Sequence, residues 1–263
     1  HSRVARIALP VVLSNAAVPI QGAIDTAVIG NQGEAAWLAA VTLGATALTL
    51  LFTSFNFLQM GVSGLTAQAL GAGNPRRVVN TLLRALIVAG AVAGLLILLR
   101  APVAALALSA FEASAATEAL ARSYVETRMW GAPAELANYA LIGWFTGQEQ
   151  TRRLFELQIA TSGANVAFNL LFVLGLGWGV EGVALGTALG AWCGLALGLW
   201  RARARVRAVA PGFRVELARL ADPSEIAQVV ALNRDIFLRT LCLTGSFLWF
   251  ARLGSLRGDT VLA

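Results

Sequence analysis

The sequence contains no lysine: all 20 of its basic residues are Arg. It has a single His, at position 1, two Cys, and only 13% of its 263 residues are charged. Each scarcity removes a class of chemistry. Without Lys there is no P-loop Lys and no Schiff base, and without an internal His there is no Ser/His/Asp triad and no imidazole metal site. Cys193 and Cys242 lie in apolar stretches and make no disulfide framework. No cofactor is expected, and nothing points to an enzyme. An ordinary soluble domain, with about a quarter of its residues charged, is excluded as well. What is abundant is apolar surface, since 57% of residues are hydrophobic and the mean hydropathy is +0.70.

Crossing about 30 Å of hydrocarbon takes roughly 20 apolar residues in a helix. Seven runs meet this, at 7–29, 37–69, 78–108, 120–146, 154–176, 183–200 and 232–253. The fourth is interrupted by Arg122, Glu126, Arg128 and Glu135, and Pro133 suits a broken span. The 26 Gly are scattered through these runs, and small residues let membrane helices approach closely. The fold class expected is an all-α polytopic membrane bundle in a lipid bilayer.

Charge sets the orientation. Arg3 and Arg6 precede the first run, Arg76, Arg77 and Arg84 surround the second loop, Arg152 and Arg153 sit in the fourth, and Arg201, Arg203, Arg205, Arg207, Arg214 and Arg219 fill the sixth. The alternate loops, near 30–36, 109–119 and 177–182, hold Glu34, Glu112, Glu118 and Glu181 and no Arg. By the positive-inside rule the N-terminus is cytoplasmic. Arg100 is the one discordant charge. A pI near 10.8 does not argue for nucleic acid here, because the Arg residues occupy short loops between spans. The first apolar run is too long for a cleavable signal peptide and lacks a small-residue cleavage site.

The stretch 201–231, with Pro211, Gly212 and Pro223, is polar and Arg-rich and separates six runs from a seventh. An offset of 224 maps Gly30 onto Gly254, Leu38 onto Leu262 and Ala39 onto Ala263, where a second six-helix repeat would begin. Transporters are commonly built from such repeats. The chain divides on this reading into a six-helix lobe over 1–203, a cytoplasmic loop over 204–231, and the first helix of a second lobe over 232–263.

Ionisable residues within a span are functional candidates by default. Asp25 is the only acid within the apolar run of the first helix, and Pro19 six residues earlier frees the carbonyl of Asn15. At about 1.5 Å per residue, Asp25 lies about 27 Å above the start of its helix, Asn169 about 22 Å and Asn165 about 16 Å above the start of theirs, and Thr187 about 6 Å below the outer end of its own. All four fall in the outer half of the bundle. Asn165 and Asn169 share a helix face, with Ser162 on the same side. A carboxylate, two amide oxygens and a hydroxyl make a hard-cation site or a proton-exchange site. The plainer reading is interhelical hydrogen bonding between the same polar side chains. A carboxylate that alternates between a protonated and an occupied state meets the physical requirement for antiport.

Other motifs fail. GVSG at 61–64 has no His to act as base, a retinal protein needs a Lys, and GAGNP at 71–75 is a turn before Arg76 rather than a phosphate loop.

The runs LPVVLSN (9–15), IDTAVIG (24–30), GLTAQALGAGNP (64–75), YVETR…GAP (124–133) and LNRDIFLRTL (232–241) resemble the multidrug and toxic compound extrusion (MATE) family, in its DinF branch. The resemblance covers essentially the whole chain. It implies twelve spans in two six-helix lobes of a bacterial inner-membrane protein that exports cationic or amphipathic small organic compounds in exchange for H+ or Na+. It further implies that Asp25 is the family's helix-one acid, Asn165 the Asn of its Asn-x-x-x-Asp pattern, Thr187 its helix-six Thr and Tyr124 its helix-four Tyr, with Gln21 and Tyr124 lining the cavity. Asp25, Asn165, Asn169 and Thr187 would then hold Na+ or a proton. Position 169 is Asn where the branch commonly has Asp, which leaves the coupling ion open between H+ and Na+. The chain stops where relatives continue, so the resemblance implies a C-terminal lobe beyond it. The alternatives are a related flippase for lipid-linked precursors, expected to have a more basic central cavity, and a truncated fragment without transport of its own.

Overall fold

Proline and small polar residues decide where the long apolar runs are interrupted. The computed structural model describes residues 22, 24–31, 35–109, 111, 113–212, 242 and 246. Gln21, Pro19, the interlobe stretch from 213 and most of the expected seventh span lie outside the described residues. Among the described residues there is no strand.

Helix α1 (24–30) carries Asp25. The second apolar run folds as α2 (Ala35–Thr53) and α3 (Phe57–Gly71), separated by turns at Ser54, where the hydroxyl donates to Leu50 O (3.0 Å). A turn through Gly73, at φ +64°, leads to α4 (Pro75–Leu98), whose first turn is capped by Asn74 Oδ1 accepting from the Arg77 amide (3.0 Å). Pro is tolerated there because the first helical N–H has no partner in any case. The third run also breaks, because Pro102 lacks the N–H that Leu98 O would accept, and the chain restarts as α5 (Arg100–Leu108). Arg100, the discordant charge, opens that helix and stacks on the Trp130 ring (5.1 Å).

The fourth run is the broken span its charges and Pro133 suggest. Helix α6 (Ala115–Arg128) passes through a 3-10 turn, Met129–Gly131, into α7 (Ala132–Thr146). Ser114 caps α6 by accepting from the Thr117 amide (3.3 Å). Helix α8 (Thr151–Asn169) widens into a π-helical stretch, Leu170–Gly175, immediately after its second Asn. Gly177 and Gly179, both at positive φ, then reverse the chain into α9 (Gly179–Val209).

Helix α9 extends past the expected lobe boundary at 203, carrying Arg201, Arg203, Arg205 and Arg207 as helix through Val209. From 213 onward the expected loop lies outside the described residues.

Among the described residues, four helical segments are long and apolar enough to cross a bilayer: Ala35–Gly71, Pro75–Leu98, Thr151–Gly175 and Gly179–Val209. Their centre is packed by Trp144, Phe145, Ile29, Leu58, Met129 and Leu141, all fully buried. Trp144 Nε1 donates to Val78 O (2.8 Å), tying α7 to α4. Leu95, Leu98, Leu106, Ile159 and Trp192 point outward, as lipid-facing side chains do.

Glycine sets the tightest contact. Gly182, Gly186, Gly190, Gly194 and Gly198 repeat every fourth residue along α9 and face Phe172, Asn169, Asn165, Thr161 and Leu157 in turn. A Cβ at Gly190 would lie 2.9 Å from Thr161 O and 3.0 Å from Asn165 Cα, so the two backbones approach as only Gly allows.

Candidate functional site

That close approach positions a polar ladder. Asn165 and Asn169 project from one face of α8 against the glycine face of α9, and both are fully buried. The two hydrogens of the Asn169 amide go to Asp25 Oδ1 on α1 (2.5 Å) and to Asn165 Oδ1 (3.5 Å). Asn165 Nδ2 donates to Thr187 Oγ1 on α9 (2.8 Å), and the Thr187 hydroxyl donates to Val183 O in its own helix (2.8 Å). Thus the four residues that depth arithmetic brings to the outer half of the bundle are linked by hydrogen bonds, from three helices. Ser162, placed on the same side, accepts from Gln158 Nε2 instead (3.1 Å). Gln21 lies outside the described residues.

The ladder spends its donors and leaves oxygen over. Asn169 Oδ1 is buried and has no hydrogen-bond partner. A buried unmatched acceptor is costly, at about 1–3 kcal/mol, and marks a place where a positive charge or a donor is welcome. This oxygen packs against Gly186 of α9, while Asp25 Oδ1 and Asn165 Oδ1 accept from Asn169 Nδ2 and Thr187 Oγ1 accepts from Asn165 Nδ2, so the four residues supply carboxylate, amide and hydroxyl oxygens, the types that hard cations take. Among the described residues no group of three His, Cys, Asp or Glu side chains forms a metal cluster. One carboxylate among neutral oxygens matches a single positive charge.

Tyr124 is buried with its ring against Gly44 of α2. Beside it, Arg128 is also buried, and it acts electrostatically on both Asp25 and Tyr124. Its guanidinium pairs with Glu135 (3.4 Å) across the 3-10 break and lies over the Phe52 ring (5.7 Å), while Nη1 has no partner. Asn138 Nδ2 donates to Ala191 O (2.9 Å), leaving Asn138 Oδ1 unmatched. Sequence reasoning missed this second group because it read the charges of the fourth run as interruptions. The signal was there: a buried ionisable residue in a span is a candidate wherever it occurs.

The MatE family model matches residues 10–171. The chain belongs to the MatE family. Members of this family are transporters, not enzymes. Over 98% of its length the MatE chain is 37% identical to DNA damage-inducible protein F of Escherichia coli (strain K12), covering 56% of that protein. It is 31% identical, again over 98% of its length and 56% of the relative's, to a probable multidrug resistance protein NorM of Bradyrhizobium diazoefficiens. The chain therefore spans about half the length of the curated relatives it matches. Its fold is that of solved MATE transporters. The eukaryotic MATE transporter AtDTX14 superposes with a TM-score of 0.79 at 14% identity, covering 94% of this chain and 55% of that one. A MOP superfamily transporter from Pyrococcus furiosus does so with 0.74 at 20% identity, over 90% and 52%. The chain is thus a multi-pass membrane protein with a helical-bundle fold.

Proposed function

We propose that this chain is the ion-coupling lobe of a multidrug efflux antiporter in the bacterial inner membrane, exporting cationic or amphipathic organic compounds in exchange for H+ or Na+. The observation that carries the reading is the Asp25–Asn169–Asn165–Thr187 ladder with its unmatched Asn169 oxygen. Family membership and the multidrug-resistance relatives support the substrate class. A second lobe, of the length by which the relatives exceed this chain, would close the drug cleft.

The coupling follows from charge. With Asp25 ionised, the partly buried Arg128–Glu135 pair is internally neutral and one negative charge remains uncompensated at the ladder. A proton or a monovalent cation neutralises it, and departure of that ion restores the charge for a cationic substrate to answer. Only one cation occupies the carboxylate at a time, which is the competition that antiport requires. In the full-length protein, Asp25→Asn should abolish gradient-driven dye efflux from everted vesicles while membrane insertion and melting temperature stay near wild type. Efflux that persists at the wild-type rate would overturn the assignment.

A further inference from the structure

Four arginines alternate along the end of α9, at 201, 203, 205 and 207. A helix turns about 100° per residue, so positions two apart face nearly opposite ways and positions four apart face together. The alternation therefore sorts the four into two opposed pairs, and the structure treats the pairs differently. Arg201 binds Glu156 of α8 (2.9 Å), and its carbonyl accepts from Arg153 Nη1 (3.0 Å); Arg205 Nε donates to Gln148 Oε1 in the turn before α8 (3.0 Å). This inward pair fastens α9 to its neighbour.

Arg203 and Arg207 point outward, are exposed, and make no ion pair or hydrogen bond with another described residue. They line a shallow cleft of about 180 Å³ with Trp200 and Ala204. Trp200 is 60% exposed, and the Arg201 guanidinium rests on its ring (4.6 Å). The small side chain of Ala204 leaves the floor of the cleft open between the two guanidinium groups. The depth is also informative. The apolar part of α9 ends at Trp200, a residue type that favours the membrane interface. Arg203 lies about 4.5 Å farther along the axis, within a headgroup layer of about 5–7 Å, and Arg207 about 10.5 Å along, just outside it, with its long side chain directed back toward the helix N-terminus and the layer. Two guanidinium forks at and just outside headgroup depth, beside an aromatic ring at the acyl boundary, suit a phosphate attached to an acyl chain.

We propose that Trp200, Arg203 and Arg207 form a binding site for the phosphate headgroup of an anionic membrane lipid. The site is separate from the Asp25 ladder and does not depend on the transport reading. Native mass spectrometry of the purified protein, exchanged into equimolar phosphatidylglycerol and phosphatidylcholine, tests it. Wild type should retain phosphatidylglycerol over phosphatidylcholine on the order of tenfold for the first bound lipid. Arg203→Gln/Arg207→Gln should bring the two lipids to near parity, and Trp200→Ala should weaken retention of both. The Arg76→Gln/Arg77→Gln variant, which removes two arginines from the turn at the same end, should keep the preference. Because Arg203 and Arg207 are exposed, their replacement should leave the melting temperature unchanged. Equal retention in wild type, or a preference surviving in Arg203→Gln/Arg207→Gln, would overturn the proposal. Displacement of the lipid by millimolar inorganic phosphate would overturn it in favour of a free-anion site.

Discussion

Asn165 and Asn169 each hold two helices at once, and each does so with hydrogens that have no other use. The Asn169 amide joins Asp25 to Asn165, and the Asn165 amide is committed to Thr187 Oγ1 at a position without solvent. Thr187→Val keeps the shape and removes the acceptor, so the buried Asn165 amide loses a partner at a cost of about 1–3 kcal/mol. Thr187→Ser keeps the oxygen and should restore most of that stability. Thermal melting of the two variants checks this, and only Thr187→Val should also slow efflux. Much of the ladder is legible in the sequence. The spacing of 165 and 169 puts both on one face, and depth arithmetic brings Asp25 to the same level although 144 residues separate it from Asn169. What depth cannot give is direction, so the burial of Arg128 and Asn138 is not readable from their positions alone.

At the scale of helices, the interruptions matter as much as the spans. The break at Met129–Gly131 follows from Pro133 and is visible beforehand. Those at Ser54–Asn56 and Leu99 have local signals too, in Ser54, Asn56 and Pro102, but a hydropathy average passes over them because it records burial rather than backbone hydrogen bonding. The widening of α8 after Asn169 has no sequence signal. The glycines of α9 can be counted in the sequence, but only packing shows which of them meet backbone. Gly190→Ala should cost about 1–3 kcal/mol, since Thr161 O and the Asn165 backbone have nowhere to move. Gly163→Ala, the same chemical change within the same helix pair, meets open space and should be neutral or slightly stabilising. Denaturation of the two variants in parallel measures the difference.

The whole bundle has two chemically distinct ends. At one, Arg205 reaches Gln148 and the Arg76–Arg77 turn begins α4; at the other, Ser123 donates to Glu181 (2.6 Å) and Trp37 covers Gly179. The alternation of basic and acidic loops read from the sequence thus corresponds to opposite ends of a folded object. Its orientation in the membrane is testable. In a background with Cys193 and Cys242 replaced by Ser, Ala72→Cys should be labelled in intact cells only by a membrane-permeant maleimide. Ala113→Cys should react with an impermeant one. The reverse pattern would invert the topology.

The glycine face of α9 has one further property, which is mechanical. A notch recurs every fourth residue, so moving α9 along α8 by one notch, about 6 Å, presents an equivalent smooth surface. Glycine therefore fixes how close the two helices lie and is indifferent to their phase. The phase is held by pins from α8, Asn165 to Thr187, Glu156 to Arg201 and Arg153 to the Arg201 carbonyl, and by Asn138 of α7 on Ala191, all of which such a slip would shear. The side chains that gather around Asp25 are in this sense also the detent that keeps the lobe in gear.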